Sequence, residues 1–460
     1  MAAVEKVFKA YDVRGLYGSE ITEDLAWGIG HASGSFLRSL LSGYERGQGH
    51  SNRLVVGHDM RPHSPSLRDA LIEGITSSGV GVMDIGMVDT PMVSFAINHL
   101  ETCGGIQVTA SHNPVEYNGF KISGQKGKPV GAESGLKEIA RITASLKRMP
   151  IGASQAPVTK IDLWSEYRAH VMKFLKPSRP LKVAVDASNG MGGKMIPALF
   201  GDTMLQIVPL NFEIGKGFAH SPNPVVEANL AGLKELVVRE KADFGVCLDG
   251  DADRCVFVDE TGRSISSDLM TALLARHFLK ASPGSVVVYD LVSSRVVSEE
   301  IQAAGGVPRR ERVGHAYIKK ALGEAHGVFA GERSGHFYFR DNWNCDSGAI
   351  ALASAATMLA GADRPLSKLI APLRRYSQTG EINFEVQDKP GTMRKVAETF
   401  KDAKVDWTDG VTVEYDDWWA NVRPSNTEPL LRLNLEARDE KLLKEKLAQL
   451  KQFLGQPVTH

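Results

Sequence analysis

The sequence predicts an α/β protein. Three observations predict it. Helix-like and strand-like segments alternate from residue 24 onward, the alternation restarts near residues 156 and 260, and the order turns α+β after Arg374-Arg375-Tyr376. Repeated βα alternation builds a mostly parallel sheet covered by helices. A length of 460 residues suits several such units. The expected divisions are residues 1–155, 156–259, 260–372 and 373–460.

Composition excludes some function classes. Lys plus Arg and Asp plus Glu both number 54, so the net charge is zero. A general nucleic-acid binder would carry a basic excess. Hydrophobic residues are 43% and charged residues 23%, ordinary for a soluble globular chain. Cys103, Cys247, Cys255 and Cys345 form no Cys-x-x-Cys pair, which suits buried thiols in a reducing cytoplasm. The first 15 residues carry Glu5, Lys6 and Lys9 and lack the apolar core of a signal peptide. The weakly polar run 350–362 is too short to span a bilayer.

In the first unit, residues 24–41 have helical spacing and 53–57 read as a strand. Residues 64–78 read as a helix with Ser64 as a candidate N-cap, followed by a strand at 80–85 and a helix at 91–100. The run 105–109 is apolar and β-branched, so it reads as a strand. It ends in Ser111-His112-Asn113-Pro114, which cannot continue a ladder. Ser111 is therefore expected to be exposed at a strand's carboxyl end, where open α/β sheets bind ligands, with His112 beside it and Lys121 downstream. A serine is a poor nucleophile until a base or a metal activates it.

A polar stretch at 149–158 reads as a linker. The second unit opens with a strand at 181–186 and a Gly-rich turn at 187–193. That turn lacks the G-x-G-x-x-G spacing of a dinucleotide site. A strand at 206–210 and a helix at 228–241 follow. The strand 243–248 then runs into Asp249-Gly250-Asp251-Ala252-Asp253-Arg254. Three alternate carboxylates repel one another unless a cation compensates them. Oxygen ligands at this density suit Mg²⁺ or Ca²⁺. Glu260 falls at position twelve of an EF-hand count, but Arg254 takes the place of the glycine at position six. Residues 255–258 read as a strand, which favours Mg²⁺ on a tight turn between strands.

In the third unit, 269–279 reads as a helix, 285–289 as a strand, and Gly314-His315 opens another helix. Val328-Phe329-Ala330 leads into Gly331-Glu332-Arg333-Ser334-Gly335-His336, read as a flexible loop. Glu332 and Ser334 there suit a pair of sugar hydroxyls, and His336 suits proton transfer near neutral pH. In the last unit, 418–422 leads into Arg423-Pro424-Ser425-Asn426-Thr427, a cradle for an anion. A strand at 430–435 and an amphipathic helix at 441–454 close the chain. Near the N-terminus, Tyr11 and Arg14 sit three residues apart, and an arginine's planar fork suits a phosphate.

These motifs together resemble the α-D-phosphohexomutase family, in its bacterial phosphomannomutase/phosphoglucomutase branch, over nearly the whole chain. The resemblance implies three similar mixed α/β domains around a cleft and a C-terminal α+β domain like the TATA-box-binding protein. It implies that Ser111 carries the transferable phosphate. It also implies that Asp249, Asp251, Asp253 and the phosphate on Ser111 hold Mg²⁺, and that Lys121 and Arg254 neutralise the phosphoryl group. Glu332 and Ser334 match the hydroxyl clamp, His336 the general base, and His315 a domain-three loop. Arg423, Ser425, Asn426 and Thr427 match the site for the non-reacting phosphate, and Tyr11, Arg14 and His112 complete the substrate set.

The implied reaction interconverts hexose 1- and 6-phosphates through a hexose 1,6-bisphosphate, in a cytoplasmic monomer or weak homo-oligomer. No nucleic acid or membrane takes part. Two positions depart from the usual pattern: Arg333 stands where methionine is usual, and Asp290-Leu291-Val292 lacks a lysine often found at its third position. The preferred sugar therefore stays open, with phosphoglucosamine mutase as the alternative. A phosphatase, or a Ca²⁺- or phosphosugar-binding protein, are the other readings.

Overall fold

The computed structural model describes residues 2–41, 52–148, 155–425 and 430–458. Most of the expected linker, residues 149–154, lies outside the described residues. The first sheet has strands β1 (Val13–Leu16), β2 (Arg53–His58), β3 (Gly81–Met87), β4 (Gly104–Val108), β5 (Tyr117–Gly124) and β6 (Val158–Lys160), in the order β1-β5-β4-β2-β3-β6. β2 runs parallel to β3 and β4, while β5 is antiparallel to β4. β6, at the end of the expected linker, pairs in parallel with β3 and so completes this sheet.

The second sheet has β7 (Leu181–Asp186), β8 (Leu205–Leu210), β9 (Phe244–Leu248), β10 (Cys255–Asp259) and β11 (Ser264–Ile265), in the order β11-β10-β9-β7-β8. The third has β12 (Val286–Asp290), β13 (Val307–Glu311), β14 (Phe329–Gly331), β15 (Phe337–Phe339) and β16 (Cys345–Asp346), in the order β13-β12-β14-β15-β16. Both repeat the logic of the first. A central strand has parallel neighbours on either side, and one neighbour then turns into an antiparallel partner.

That turn is the same topological position in all three sheets. It is β4 to β5 around Ser111, β9 to β10 around the aspartates, and β14 to β15 around Glu332 and His336. Each motif thus sits at the carboxyl end of a parallel strand, where the backbone must reverse and cannot hide its polar groups in a ladder. The fourth sheet is antiparallel throughout: β17 (Ser377–Phe384), β18 (Lys404–Asp406), β19 (Val411–Glu414), β20 (Trp418–Pro424), β21 (Leu431–Ala437) and β22 (Pro457–Val458), in the order β18-β19-β20-β21-β17-β22.

One hydrophobic core joins the first three units. It includes Val55 and Phe95 of the first, Val185 and Phe244 of the second, and Phe329 and Leu352 of the third. The fourth unit has its own core, including Phe384, Trp418, Leu433 and Leu450. Polar contacts tie it to the third. The Arg295 guanidinium donates to the Tyr415 carbonyl at 2.8 Å, and Gln378 donates to the Asp268 carboxylate at 3.2 Å. All four cysteines are buried and unbridged, and among the described residues no helix is long and apolar enough to cross a membrane.

Two local features matter for the first unit. The helix Ser64–Ser77 is capped by His63 rather than Ser64, and no side chain accepts at the cap. The Ser64 hydroxyl instead donates to Asp59 and accepts from Asn118 at 2.9 Å, so it ties the strand end to β5. That helix packs against Glu23–Ser39 through paired glycines. A Cβ on Gly74 would lie 1.9 Å from the Trp27 carbonyl oxygen. Gly74→Ala is therefore expected to push the helices apart and cost about 1–3 kcal/mol. The check is the first unfolding transition in urea, which should move to lower denaturant.

Candidate active site

Ser111 is at a strand's end, as the sequence predicts, but it is fully buried rather than exposed. The reason is tertiary: the acidic turn of the second unit packs on the serine turn. A Cβ on Gly250 would meet the Ser111 carbonyl oxygen at 2.3 Å, so only glycine permits this approach. Ser111 takes a left-handed backbone, with φ of 50°. Its amide donates to the Thr109 hydroxyl at 2.9 Å, and that hydroxyl donates to Asp59 at 2.7 Å. The Ser111 hydroxyl donates to Asp249 Oδ2 at 2.9 Å and lies 3.2 Å from His112 Nδ1.

Arg61, not singled out in the sequence, holds this turn. Its guanidinium is fully buried, pairs with Asp59 at 3.1 Å, and donates to the carbonyls of Ser111 at 2.9 Å and Asn113 at 2.7 Å. It also donates to the carbonyls of Pro114 at 2.5 Å and Tyr117 at 3.1 Å. The signal in the sequence was Asp59-Met60-Arg61 directly after β2, a charged pair at another strand's carboxyl end. Arg14 approaches from the other side and donates to Asn113 Oδ1 at 2.5 Å.

The aspartates of the second unit are buried, and oxygens of Asp249, Asp251 and Asp253 lie within 4.8 Å of one another. Lys121 Nζ bridges two of them, at 2.6 Å from Asp251 and 2.5 Å from Asp253. Thr90 donates a hydroxyl to Asp251 at 2.5 Å. Burial, with Asp253 and Asp251 beside it, pushes the Asp249 carboxyl well above its ordinary range. Burial also acts to raise Asp253, but Lys121, His336 and Arg254 outweigh it and hold that carboxyl well below its ordinary range. Asp251 Oδ1 is buried with no hydrogen-bond partner, and Asp253 Oδ1 is buried with only the His336 imidazole near it, at 3.4 Å. Converging, unsatisfied, oxygen-only donors fit a hard divalent cation. The EF-hand count ends in a different place. Glu260 accepts from the Ser367 amide at 3.0 Å and from its hydroxyl, remote from the aspartates.

The third unit adds Glu332, Ser334 and His336. The expected flexible loop is a tight, buried turn. The Glu332 amide donates to the His336 carbonyl at 3.0 Å, and the Glu332 carboxylate accepts from the Gly314 amide at 2.9 Å and from the Tyr338 hydroxyl. His336 Nδ1 lies 2.8 Å from the Ser334 hydroxyl, and Nε2 lies 3.4 Å from Asp253 Oδ1. Arg254 Nε donates to His336 Nε2 at 3.3 Å, which joins the second unit to the third. His315 meets Tyr11 of the first unit edge-on, with ring centres 5.3 Å apart. Burial, with Lys319 nearby, pushes the His315 imidazole down to about 3, so it is neutral. Burial, with Arg254 and Arg14 close, likewise holds His112 well below its ordinary range.

The fourth unit contributes Arg423, whose guanidinium donates to Glu381 at 2.8 Å, while Arg432 pairs with the same carboxylate at 3.1 Å. The Ser425 amide donates to the Leu430 carbonyl at 2.9 Å. Asn426 and Thr427 lie outside the described residues. A cleft of about 780 Å³ is lined by residues of every unit, among them Tyr11, His112, Arg254, Glu332, His336 and Arg423. The two departures from the usual pattern touch: Arg333 Nη1 donates to the Val292 carbonyl at 3.1 Å.

Known proteins resemble the chain over nearly its whole length. Four family profiles match in chain order: phosphoglucomutase/phosphomannomutase alpha/beta/alpha domain I over residues 5–149, domain II over 165–262, domain III over 266–376, and the C-terminal domain over 381–452. The chain is 36% identical over 448 residues to phosphohexose mutases of Xanthomonas campestris pv. campestris, covering 96% of this chain and 97% of that one. It is 34% identical over 450 residues to a phosphomannomutase of Escherichia coli, covering 95% and 96%. A crystal structure of a phosphoglucomutase/phosphomannomutase family protein from Burkholderia thailandensis superposes with a TM-score of 0.88 at 32% identity, covering 98% of this chain and 97% of that one. With relatives this similar over nearly its whole length, and four domain profiles in register with its four sheets, the chain belongs to the phosphoglucomutase/phosphomannomutase family.

Proposed function

We propose that the protein is a phosphomannomutase/phosphoglucomutase, an isomerase that moves a phosphoryl group between the 1- and 6-positions of a hexose. The observation that carries this is the Ser111 hydroxyl at 2.9 Å from Asp249, inside the acidic turn and opposite the clamp turn. Phosphorylated Ser111 gives its phosphoryl group to the free hydroxyl of a bound hexose phosphate. The Ser111 Oγ–P bond breaks, a sugar O–P bond forms, and the hydroxyl proton passes to His336. The bisphosphate turns over in the cleft, and its other phosphate returns to Ser111. Phosphoryl transfer depends on positioning and charge neutralisation.

Each named residue then has a task. Mg²⁺, held by Asp249, Asp251, Asp253 and the phosphate of Ser111, supplies charge stabilisation when bound. Lys121 and Arg254 add fixed positive charge beside the transferring group. Glu332 and Ser334 hold ring hydroxyls; each Glu332 oxygen already accepts one hydrogen bond and keeps capacity for another. Arg423, Ser425, Asn426 and Thr427 hold the phosphate that does not react, while Tyr11, Arg14, His112 and His315 line the approach. We assign serine, metal, sugar and distal-phosphate work to residues 1–155, 156–259, 260–372 and 373–460 in turn. All these groups come from one chain, which suits a monomer or weak homo-oligomer.

The test is turnover of glucose 1-phosphate, mannose 1-phosphate and glucosamine 1-phosphate with Mg²⁺ and a trace of hexose 1,6-bisphosphate, followed by phosphorus NMR. The first two sugars should equilibrate with their 6-phosphates without release of inorganic phosphate. Preference for the amino sugar would move the protein to phosphoglucosamine mutase. Steady phosphate release would make it a phosphatase.

A further inference from the structure

The two oxygens of the Asp251 carboxylate differ. Oδ2 accepts two hydrogen bonds, from the Thr90 hydroxyl at 2.5 Å and from Lys121 Nζ at 2.6 Å. Oδ1 is buried and accepts none. The main chain repeats the Thr90 contact, since the Thr90 amide donates to the Asp251 carbonyl at 3.1 Å. One residue of the first unit thus grips both the side chain and the backbone of a candidate metal ligand in the second. The grip is itself anchored. Thr90 opens the helix Thr90–His99, and its amide is one of the donors that a helix start leaves without an intrahelical partner. Asp89 caps that helix, accepting from the Met92 amide at 3.2 Å and from the Tyr167 hydroxyl at 2.9 Å. Lys194 of the second unit donates to the Met87 carbonyl at 2.8 Å, which ties the segment before Thr90 to the unit that carries the acidic turn.

We infer that Thr90 is a positioning residue for the metal: by holding Oδ2, its hydroxyl fixes the Asp251 carboxylate with Oδ1 free for the cation. The inference rests on the proposed assignment of Mg²⁺ to Asp249, Asp251 and Asp253. Lys121 holds the same oxygen, but the two donors are not equivalent. A divalent cation repels an ammonium and leaves a neutral hydroxyl in place. Removing a group that orients a metal's ligand typically weakens metal binding about 10–100-fold.

The test titrates the full-length, chelator-treated protein with Mn²⁺, a hard cation that takes the same oxygen ligands, and follows free Mn²⁺ by electron paramagnetic resonance. Wild type, Thr90→Val and Thr90→Ser are compared. Valine keeps the shape of threonine and loses the hydroxyl, whereas serine keeps the hydroxyl. The Kd is the readout, because a loss of folded protein lowers the number of sites and leaves the Kd unchanged. It is expected to rise about 10–100-fold in Thr90→Val and to stay near the wild-type value in Thr90→Ser. An unchanged Kd in Thr90→Val overturns the inference. So does a rise in Thr90→Ser as large as that in Thr90→Val, which would assign the effect to packing. In either case, wild-type turnover of glucose 1-phosphate with Mg²⁺ leaves the proposed function in place. A wild type that binds no Mn²⁺ overturns the inference and the metal assignment together.

Discussion

Ser111→Ala is expected to lower mutase turnover by a factor on the order of 10⁴–10⁶, the scale seen when a covalent nucleophile is removed. The hydroxyl at 2.9 Å from Asp249 is the atom that would carry the phosphoryl group, and among the described residues no other hydroxyl donates to Asp249. The Thr109 hydroxyl is committed to Asp59, and the Thr90 hydroxyl to Asp251. The fold should survive, because the turn is held by Arg61 through main-chain carbonyls rather than through the serine side chain. Incubation with hexose 1,6-bisphosphate followed by intact-mass measurement gives a second reading. The wild type should gain one phosphoryl group and the variant none. A variant that keeps wild-type turnover would remove the phosphoserine mechanism altogether.

The second large effect is expected at Lys121. Among the described residues it is the one lysine in ion-pair contact with Asp251 and Asp253, at 2.6 and 2.5 Å. Removing one partner of a buried ion pair costs about 3–5 kcal/mol, because the charge left behind is uncompensated. Lys121→Met should therefore lower the unfolding midpoint markedly in the presence of a chelator. Millimolar Mg²⁺ should restore part of the loss, since a bound cation can take over the neutralising role. Activity with Mg²⁺ should still fall about 10²–10³-fold, the usual effect of losing one preorganised electrostatic group. Equal midpoints for variant and wild type in chelator would show that the aspartates are compensated in another way.

The two variants probe different contributions. In the proposed mechanism Ser111 supplies a bond-forming atom, and its loss should be visible in chemistry with little change in stability. Lys121 supplies charge in a crowded acidic pocket, and its loss is visible in both. Lys121 belongs to β5 of the first unit and its aspartates to the second, so this pair also bonds the two units.

Much of the site was legible because its chemistry is local. The spacing of Asp249, Asp251 and Asp253 places three like charges within five residues, and such repulsion demands a cation wherever the segment folds. Ser111 followed by His112, Asn113 and Pro114 ends a strand whatever surrounds it. Arg61 escaped notice because its role is not local. It reaches carbonyls about fifty residues away, and nothing in its own neighbourhood marks it as buried. The clamp turn was misjudged for the same reason. Gly331 to His336 reads as loose, but Glu332 is locked by Gly314 and Tyr338, and Tyr338 lies on the returning strand β15.

By itself the sequence determined the α/β pattern, the change to an α+β pattern in the last unit, and the strand-end and turn positions of Ser111, of Asp249, Asp251 and Asp253, of residues 331–336 and of Arg423. Those follow from periodicity, turn chemistry and charge spacing, each of which acts over a few residues. The tertiary structure decided that the three chemical turns occupy one topological position in three sheets, and that a shared core brings them to one cleft. It also decided that Ser111 is buried rather than exposed, because Gly250 lets a second acidic turn close over it. Long-range packing sets distance and dielectric, and these turn a list of polar residues into a site where Lys121, Asp249, Ser111 and His336 act on one another.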